Sequence, residues 1–490
     1  MKHIIAVLGL IGAISFLPAA NHYVRQGATG NGSDWTNAYG DLPASLVRGD
    51  TYYIADGSYG AYTFDDATQG TTTPGIIQKA VSGDHGTDVG WKAEYGDGQA
   101  VFVSFTFVRS NWVIDGVTGG GPAGWEEGHG IRVHGGGKLA RFDEAVSNIT
   151  IKHVDFQHNG RDTHDSNADI VYGTSACQDV SFSYCAFRDV ARVMFLISGW
   201  DGLTIEYCKF SRNGRNDGIH REAMSCSADD NVTIRYCIFE EIANTAVIAH
   251  VNGSGTAENW QIYGNVFSTC AVSALIRVKY VSPTTVKANN WVFYNNTVVN
   301  FSGIPGFSIS SGTNITVYNN IWYHNTANDL AVNFTHDYNW YYDNWRKDRT
   351  PAINLDAKVV EAHEQIGTAN PLVNWTGGDF NLKSATNAGM SLAVPYNKDM
   401  FGRIRGQDGT WDRGAMEYDP SQTTSIECRT LNPRLQSAGA GAECRIHPAP
   451  NLISDGRFYN ILGQQVREGD KTGPYLIPMN GKLKIVMLVK

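Results

Sequence analysis

The sequence predicts an all-β chain folded as a parallel β-helix, a solenoid closed by a short β-rich C-terminal unit. Three observations predict it: a strand-like phrase that repeats through the middle of the chain, a column of residues that keeps its place in that repeat, and the composition. The chain has 490 residues, 42% hydrophobic and 18% charged, so it can bury a large core. Gly occupies 53 positions and Asn is frequent, whereas long runs of Ala, Leu, Glu and Lys are missing. That balance favours many short strands joined by tight turns.

The repeat extends over residues 111 to 345. It reads Asn148-Ile149-Thr150-Ile151, Asp179-Val180-Ser181-Phe182, Gly202-Leu203-Thr204-Ile205 and Asn231-Val232-Thr233-Ile234. It continues as Asn259-Trp260-Gln261-Ile262, Asn290-Trp291-Val292-Phe293 and Asn314-Ile315-Thr316-Val317. Successive phrases begin 23 to 31 residues apart, and each alternates apolar with polar. One coil cannot bury its apolar face alone, so coils are expected to stack at about 4.8 Å and share one core. Three residues after the residue that closes each phrase stand Val154, Cys185, Cys208, Cys237, Asn265, Asn296 and Asn320. Stacked asparagines can pass side-chain hydrogen bonds from coil to coil, and stacked thiols pack as small hydrophobes. Three thiols in one column cannot all pair with one another, so Cys185, Cys208 and Cys237 are expected to be reduced.

The ends read differently. Lys2, the apolar run Ile4 to Phe16 and the small residues Pro18-Ala19-Ala20 have the form of a secretory signal, 1–20. The run is too short for a membrane span, which needs about 20 apolar residues, and no later segment reaches that length. The net charge of −9, with no basic tract, argues against nucleic acid as a partner but leaves room for a local cationic site.

On these residues the solenoid resembles the pectate-lyase-like superfamily of right-handed parallel β-helices. The start of the mature chain is similar to the N-terminal cap of secreted members, in Tyr23-Val24, Gly30 to Trp35 and Gly49 to Tyr59. Asp399 to Arg403 and Asp412 to Tyr418 resemble the closing segment of such repeats. The resemblance spans 21–420 and implies a fold, not a substrate. After a Ser-, Thr-, Gly- and Ala-rich linker, 421–453, with Cys428 and Cys444, residues 454–490 resemble the C-terminal sorting domain of the type IX secretion system of Bacteroidetes-type bacteria. The alternative is a plain β-rich cap. The first reading implies a secreted protein or one attached to the outer cell surface through its tail.

Chemistry is expected on the outward columns of the second strand of each coil. If Ile219, Val247 and Ile276 face inward, Glu222, His250 and Lys279 form one outward column and His220 and Arg277 flank it. A one-residue slip would reverse the assignment. Such a group suits β-elimination of a uronic-acid polymer, which needs a base for the proton beside the carboxylate and a cation for the developing charge. Lys279 or Arg277 would be the base; His220 or His250 an alternative base or the acid. Arg221, Trp200 and Trp340 are candidate substrate contacts, the last within the aromatic run Tyr338 to Tyr342 with Trp345. A Ca²⁺ ion would serve as charge neutraliser, with Asp162, Asp165, Asp169 and Asp217 as ligands in two turns that each follow Asn-Gly-Arg. Two further readings stay open: a glycoside hydrolase using Asp217 with Glu222 or Asp165 with Asp169, and a non-catalytic glycan-binding or adhesive surface protein.

Overall fold

The structure, a computed structural model, describes residues 19–67, 72–161, 167–214, 221–251, 256–279, 288–309, 312–327, 330 and 334–421, and in the C-terminal unit 458–460, 465–466, 473–479 and 482–488. The first unit, Met1–Tyr418, is a right-handed parallel β-helix. Each coil gives one short strand to each of three parallel sheets of 13, 12 and 13 strands. One coil shows the plan: Thr204–Glu206 in sheet 1, Lys209–Ser211 in sheet 2, Met224–Cys226 in sheet 3. The repeated phrase is the sheet 1 strand. Ile151, Phe182, Ile205, Ile234, Ile262, Phe293 and Val317 stand opposite one another in successive coils, all buried.

The turn from sheet 1 to sheet 2 is two residues long, and its first residue takes a left-handed backbone. His153, Tyr184, Tyr207, Tyr236, Asn295, Asn319 and Tyr338 all have φ between 54° and 59°. A non-glycine residue there costs about 1 kcal/mol or more, and two features offset it. His153, Tyr184 and Tyr207 stack on one another at 4.9 Å. The next residue points inward and links coils by hydrogen bonds. Cys237 N donates to Asn265 Oδ1 at 2.9 Å, Asn265 N to Asn296 Oδ1 at 2.9 Å, Asn296 N to Asn320 Oδ1 at 2.8 Å and Asn320 N to Asn339 Oδ1 at 2.8 Å. The thiol part of the column follows the same plan with a weaker acceptor: Cys185 N lies 3.4 Å from Cys208 Sγ. Cys177, Cys185, Cys208, Cys226, Cys237 and Cys270 are all buried free thiols. Two positions further on runs a phenylalanine stack, Phe156, Phe187, Phe210, Phe239 and Phe267, with ring spacings of 4.5 to 5.3 Å.

Sheet 2 is buried on both sides in its later coils. Its outer residues Ile238, Val266, Val299, Ile321 and Trp340 pack against Leu372, Phe380, Leu382, Met400 and Met416 of the returning chain. That return is pinned by Gly414 N to Asn319 O at 2.7 Å and Ala415 N to Thr297 Oγ1 at 2.9 Å. Arg405, fully buried, holds the loop from inside through the carbonyls of Asp412, Gly414 and Ala415 and through Glu417. The segment whose sequence resembles a repeat closure thus acts as the cover of sheet 2.

The second unit, Asp419–Lys490, contains a four-stranded antiparallel sheet in which Gly473–Met479 pairs with both Phe458–Asn460 and Lys482–Leu488. The expected signal, residues 1–18 of it, and the linker from residue 422 onward lie outside the described residues. Among the described residues no helix is long and apolar enough to cross a membrane.

Candidate functional site on sheet 3

Strand alternation sorts sheet 3 into two columns. Val171, Phe195, Met224, Ile248, Ile276 and Phe307 stand in line and face the core. The neighbouring column, Arg141, Tyr172, Leu196, Ser225, Ala249, Arg277 and Ser308, points away from the core, although Ser225 and Ala249 within it are themselves buried. Beside Arg277 this column offers only the small side chains of Ala249 and Ser225. Arg277 is half-buried, and among the described residues its guanidinium has no hydrogen-bond, ion-pair or ring partner. Every other arginine among the described residues is engaged: Arg192 with Asp169, Arg141 with Asp143, Arg188 with Asp155 and Arg235 with Glu206, for example.

The expected convergent group does not form. Ile276 pairs with Ile248, one residue later than the sequence reading assumed, so the alternation inverts at this coil. His250 then stands between Cys226 and Val278 in the core, 1% exposed. Its Nε2 accepts from Ala228 N at 2.9 Å, and its ring meets Trp260 edge to face at 6.3 Å. Burial lowers its pKa to about 4, so it is neutral at physiological pH with its lone pair already taken. That removes it as a base for anything on the outer face. Glu222 is also fully buried. It precedes Ser225 by three residues, which strand geometry puts about 14 Å from Arg277 at Cα. Lys279 ends the strand Ala271–Lys279 with its backbone opposite Val251. His220 lies outside the described residues.

At the turn entering sheet 3, Asp169 is buried and both its oxygens are taken by Arg192 Nη1, at 2.6 and 2.7 Å. Burial raises its pKa, with Arg192 opposing. A carboxylate so committed is a poor calcium ligand. Asp162, Asp165 and Asp217 lie outside the described residues, and among the described residues no three metal-ligating side chains come together. Arg221, expected on the substrate side, is buried and donates to Ala191 O at 2.6 Å, while its own carbonyl accepts from Asn213 Nδ2. Trp200 is a core residue, its Nε1 bonded to Gly173 O at 3.1 Å. Trp340 lies beneath the cover of sheet 2. None of the three is placed to touch a ligand.

No family model matches this sequence, and no curated protein matches it. Among solved structures, the crystal structure of pectate lyase Pel9A is similar, at 14% identity over 82% of this chain and 97% of that one, with a TM-score of 0.45. A GH136 lacto-N-biosidase from Eubacterium ramulus is similar at 10% identity over 71% and 68%, with a TM-score of 0.29. At these values the likeness carries no argument about activity.

Sequence reading missed two features around the site. Arg192, which occupies Asp169, sits on the coil between the two Asn-Gly-Arg turns. The second is an ionic network on the outer face of sheet 2. Asp155 accepts from Arg132 and Arg188, Asp189 from Arg188 and Arg212, and Glu126 from Arg212, Lys209 and Ser211. Its groups come from a loop and four different coils, so no local motif announces it. Glu126 is held down to about 2 against the cost of burial by Arg212, Lys209 and Ser211. Being mutually satisfied, these charges fix the loop before Gly128 onto sheet 2.

Proposed function

We propose that the protein is an extracellular carbohydrate-active enzyme that cleaves a uronic-acid-containing polysaccharide by β-elimination on the outer face of sheet 3. One observation supports it most: Arg277 has no partner among the described residues and stands in the outer column of a parallel sheet, beside the small residues Ala249 and Ser225. A planar guanidinium with free donors matches a uronate carboxylate in bidentate geometry. In that role it neutralises the charge that builds up as the proton beside the carboxylate leaves. The base takes the C5 proton, the electron pair forms the C4–C5 double bond, and the C4–O bond breaks with the leaving oxygen taking a proton. Lys279, two residues along the same strand, is the candidate base, and His220 the alternative. A calcium requirement, if present, falls to Asp162, Asp165 and Asp217, because Asp169 is committed to Arg192.

The test is to incubate the mature protein with polygalacturonate, alginate and glycosaminoglycans, with and without calcium, and follow the ultraviolet absorbance of the unsaturated product. A rise abolished in Arg277→Ala supports the reading. New reducing ends without that absorbance make it a hydrolase. Binding without either product makes it a glycan-binding surface protein.

A further inference from the structure

A second arrangement lies away from sheet 3, at the turn from sheet 2 to sheet 3 in the last coils. His324 and Asp343 occupy equivalent left-handed positions on neighbouring coils, with φ of 56° and 60°. Both side chains are open to solvent, at 41% and 36% exposure. His324 Nδ1 meets Asp343 Oδ2 at 2.5 Å, and Asp343 Oδ1 accepts from Trp345 Nε1 at 2.8 Å. The carboxylate is thereby fixed at both oxygens, and it fixes the imidazole with Nε2 outward. Nε2 has no partner among the described residues.

Aromatic rings surround the pair. The His324 ring lies 5.5 Å from Trp375 and 5.7 Å from Tyr323, and Tyr323 stacks parallel on Tyr342 at 6.2 Å. Trp375 and Tyr342 are only partly buried. The aromatic run read from the sequence thus divides. Trp340 and Tyr341 go into packed interiors, while Tyr342 and Trp345 remain at the surface beside the His–Asp pair.

We propose that this corner is a binding subsite for a neutral pyranose unit of a glycan. Half-exposed indole and phenol rings offer apolar faces to the C–H face of a sugar. An oriented imidazole nitrogen and a fixed carboxylate supply polar contacts for adjacent hydroxyls. Among the described residues no Lys or Arg pairs with this exposed carboxylate, so it disfavours a uronate and selects an uncharged ring. The subsite is separate from the reaction assigned to Arg277 and stands whether or not that reaction occurs.

The experiment is a tryptophan-fluorescence titration of the full mature chain with xylohexaose, cellohexaose, mannohexaose, laminarihexaose and, as the acidic comparison, a galacturonate hexamer. A saturable change with a neutral hexasaccharide is expected, weakened about ten-fold in His324→Ala and in Trp375→Ala and unchanged in Arg277→Ala. Asp343→Asn, which keeps an oxygen for Trp345, is expected to weaken it in the same direction and serves if His324→Ala does not fold. The absence of a change with all four neutral sugars overturns the subsite. So does binding that survives both His324→Ala and Trp375→Ala. A response to the galacturonate hexamer alone, lost in Arg277→Ala, overturns the subsite while upholding the reading of sheet 3.

Discussion

Replacing Asn320 with Ala removes a central member of the inner ladder. Asn320 is fully buried, and its Oδ1 accepts from Asn296 N at 2.8 Å and from Asn296 Nδ2 at 3.2 Å. Its Nδ2 donates to Phe293 O at 3.0 Å and to Asn339 Oδ1 at 2.9 Å. Alanine leaves the buried Asn296 N–H without its acceptor, at a cost of about 2 kcal/mol, and removes two donated bonds at about 1 kcal/mol each. The expected loss is about 3 to 4 kcal/mol. Cysteine at the same place retains a weak acceptor, as Cys208 does for Cys185 N at 3.4 Å, so Asn320→Cys is expected to lose about half as much. Asn290→Ala is the control. Asn290 belongs to the exposed asparagine row, donates to Asn259 Oδ1 at 3.2 Å, and has a φ of 57°. It also accepts from Asn314 Nδ2 at 2.8 Å, but both bonds are exposed to water, so losing them with the left-handed backbone preference is expected to cost about 1 kcal/mol in total. Urea unfolding followed by tryptophan fluorescence measures all three. An Asn320→Ala variant within about 0.5 kcal/mol of the parent, or one no worse than Asn290→Ala, would refute the view that the ladder holds the bend by satisfying buried backbone donors.

Other outcomes follow from the same geometry. Arg277→Ala is expected to leave the unfolding midpoint unchanged while abolishing activity on acidic polymer, because the side chain has no partner among the described residues; a shift in midpoint would show that it is structural. His250 has a folded pKa of about 4 against an ordinary 6.5, so the unfolded chain binds the extra proton between those values. Its contribution is intact above pH 6.5 and declines as pH falls toward 4, by about 3 kcal/mol at most. His250→Gln should remove that rise; Asp229, raised to about 7 by burial, acts with the opposite slope and stays in both proteins, so the variant's stability should fall more steeply than the parent's as pH rises from 4 to 6.5. Asp169→Asn should lower stability, since it breaks a buried pair with Arg192, yet leave any calcium dependence of activity unchanged; loss of that dependence would return Asp169 to the metal site. In a Cys428→Ser, Cys444→Ser background the six buried thiols should react with a thiol reagent only on unfolding, and rapid labelling of that folded variant would contradict their burial.

The sequence by itself determined the solenoid and the sheet 1 register. The Asn-Ile-Thr-Ile type phrases have a period of two within each strand, and the turn after them has a constant length of two residues, so local pattern and global position coincide. The Cys-to-Asn column was legible for the same reason, and so was the core role of Trp260 and Trp291, whose rings stack at 4.6 Å. Sheet 3 differs because the excursions that lead into it vary in length from coil to coil. Counting from a phrase then loses the register, and one residue of slip carried His250 from the surface into the core. Trp340 alternates correctly as an outer residue of its sheet, yet the returning chain covers it, and alternation carries no information about what packs on the far side. The pairing of Asp169 with Arg192 and the meeting of His324 with Asp343 are contacts between coils 19 or more residues apart. Only the stacked structure decided them, because a parallel sheet brings each side chain opposite a residue chosen by loop length rather than by its neighbours in sequence.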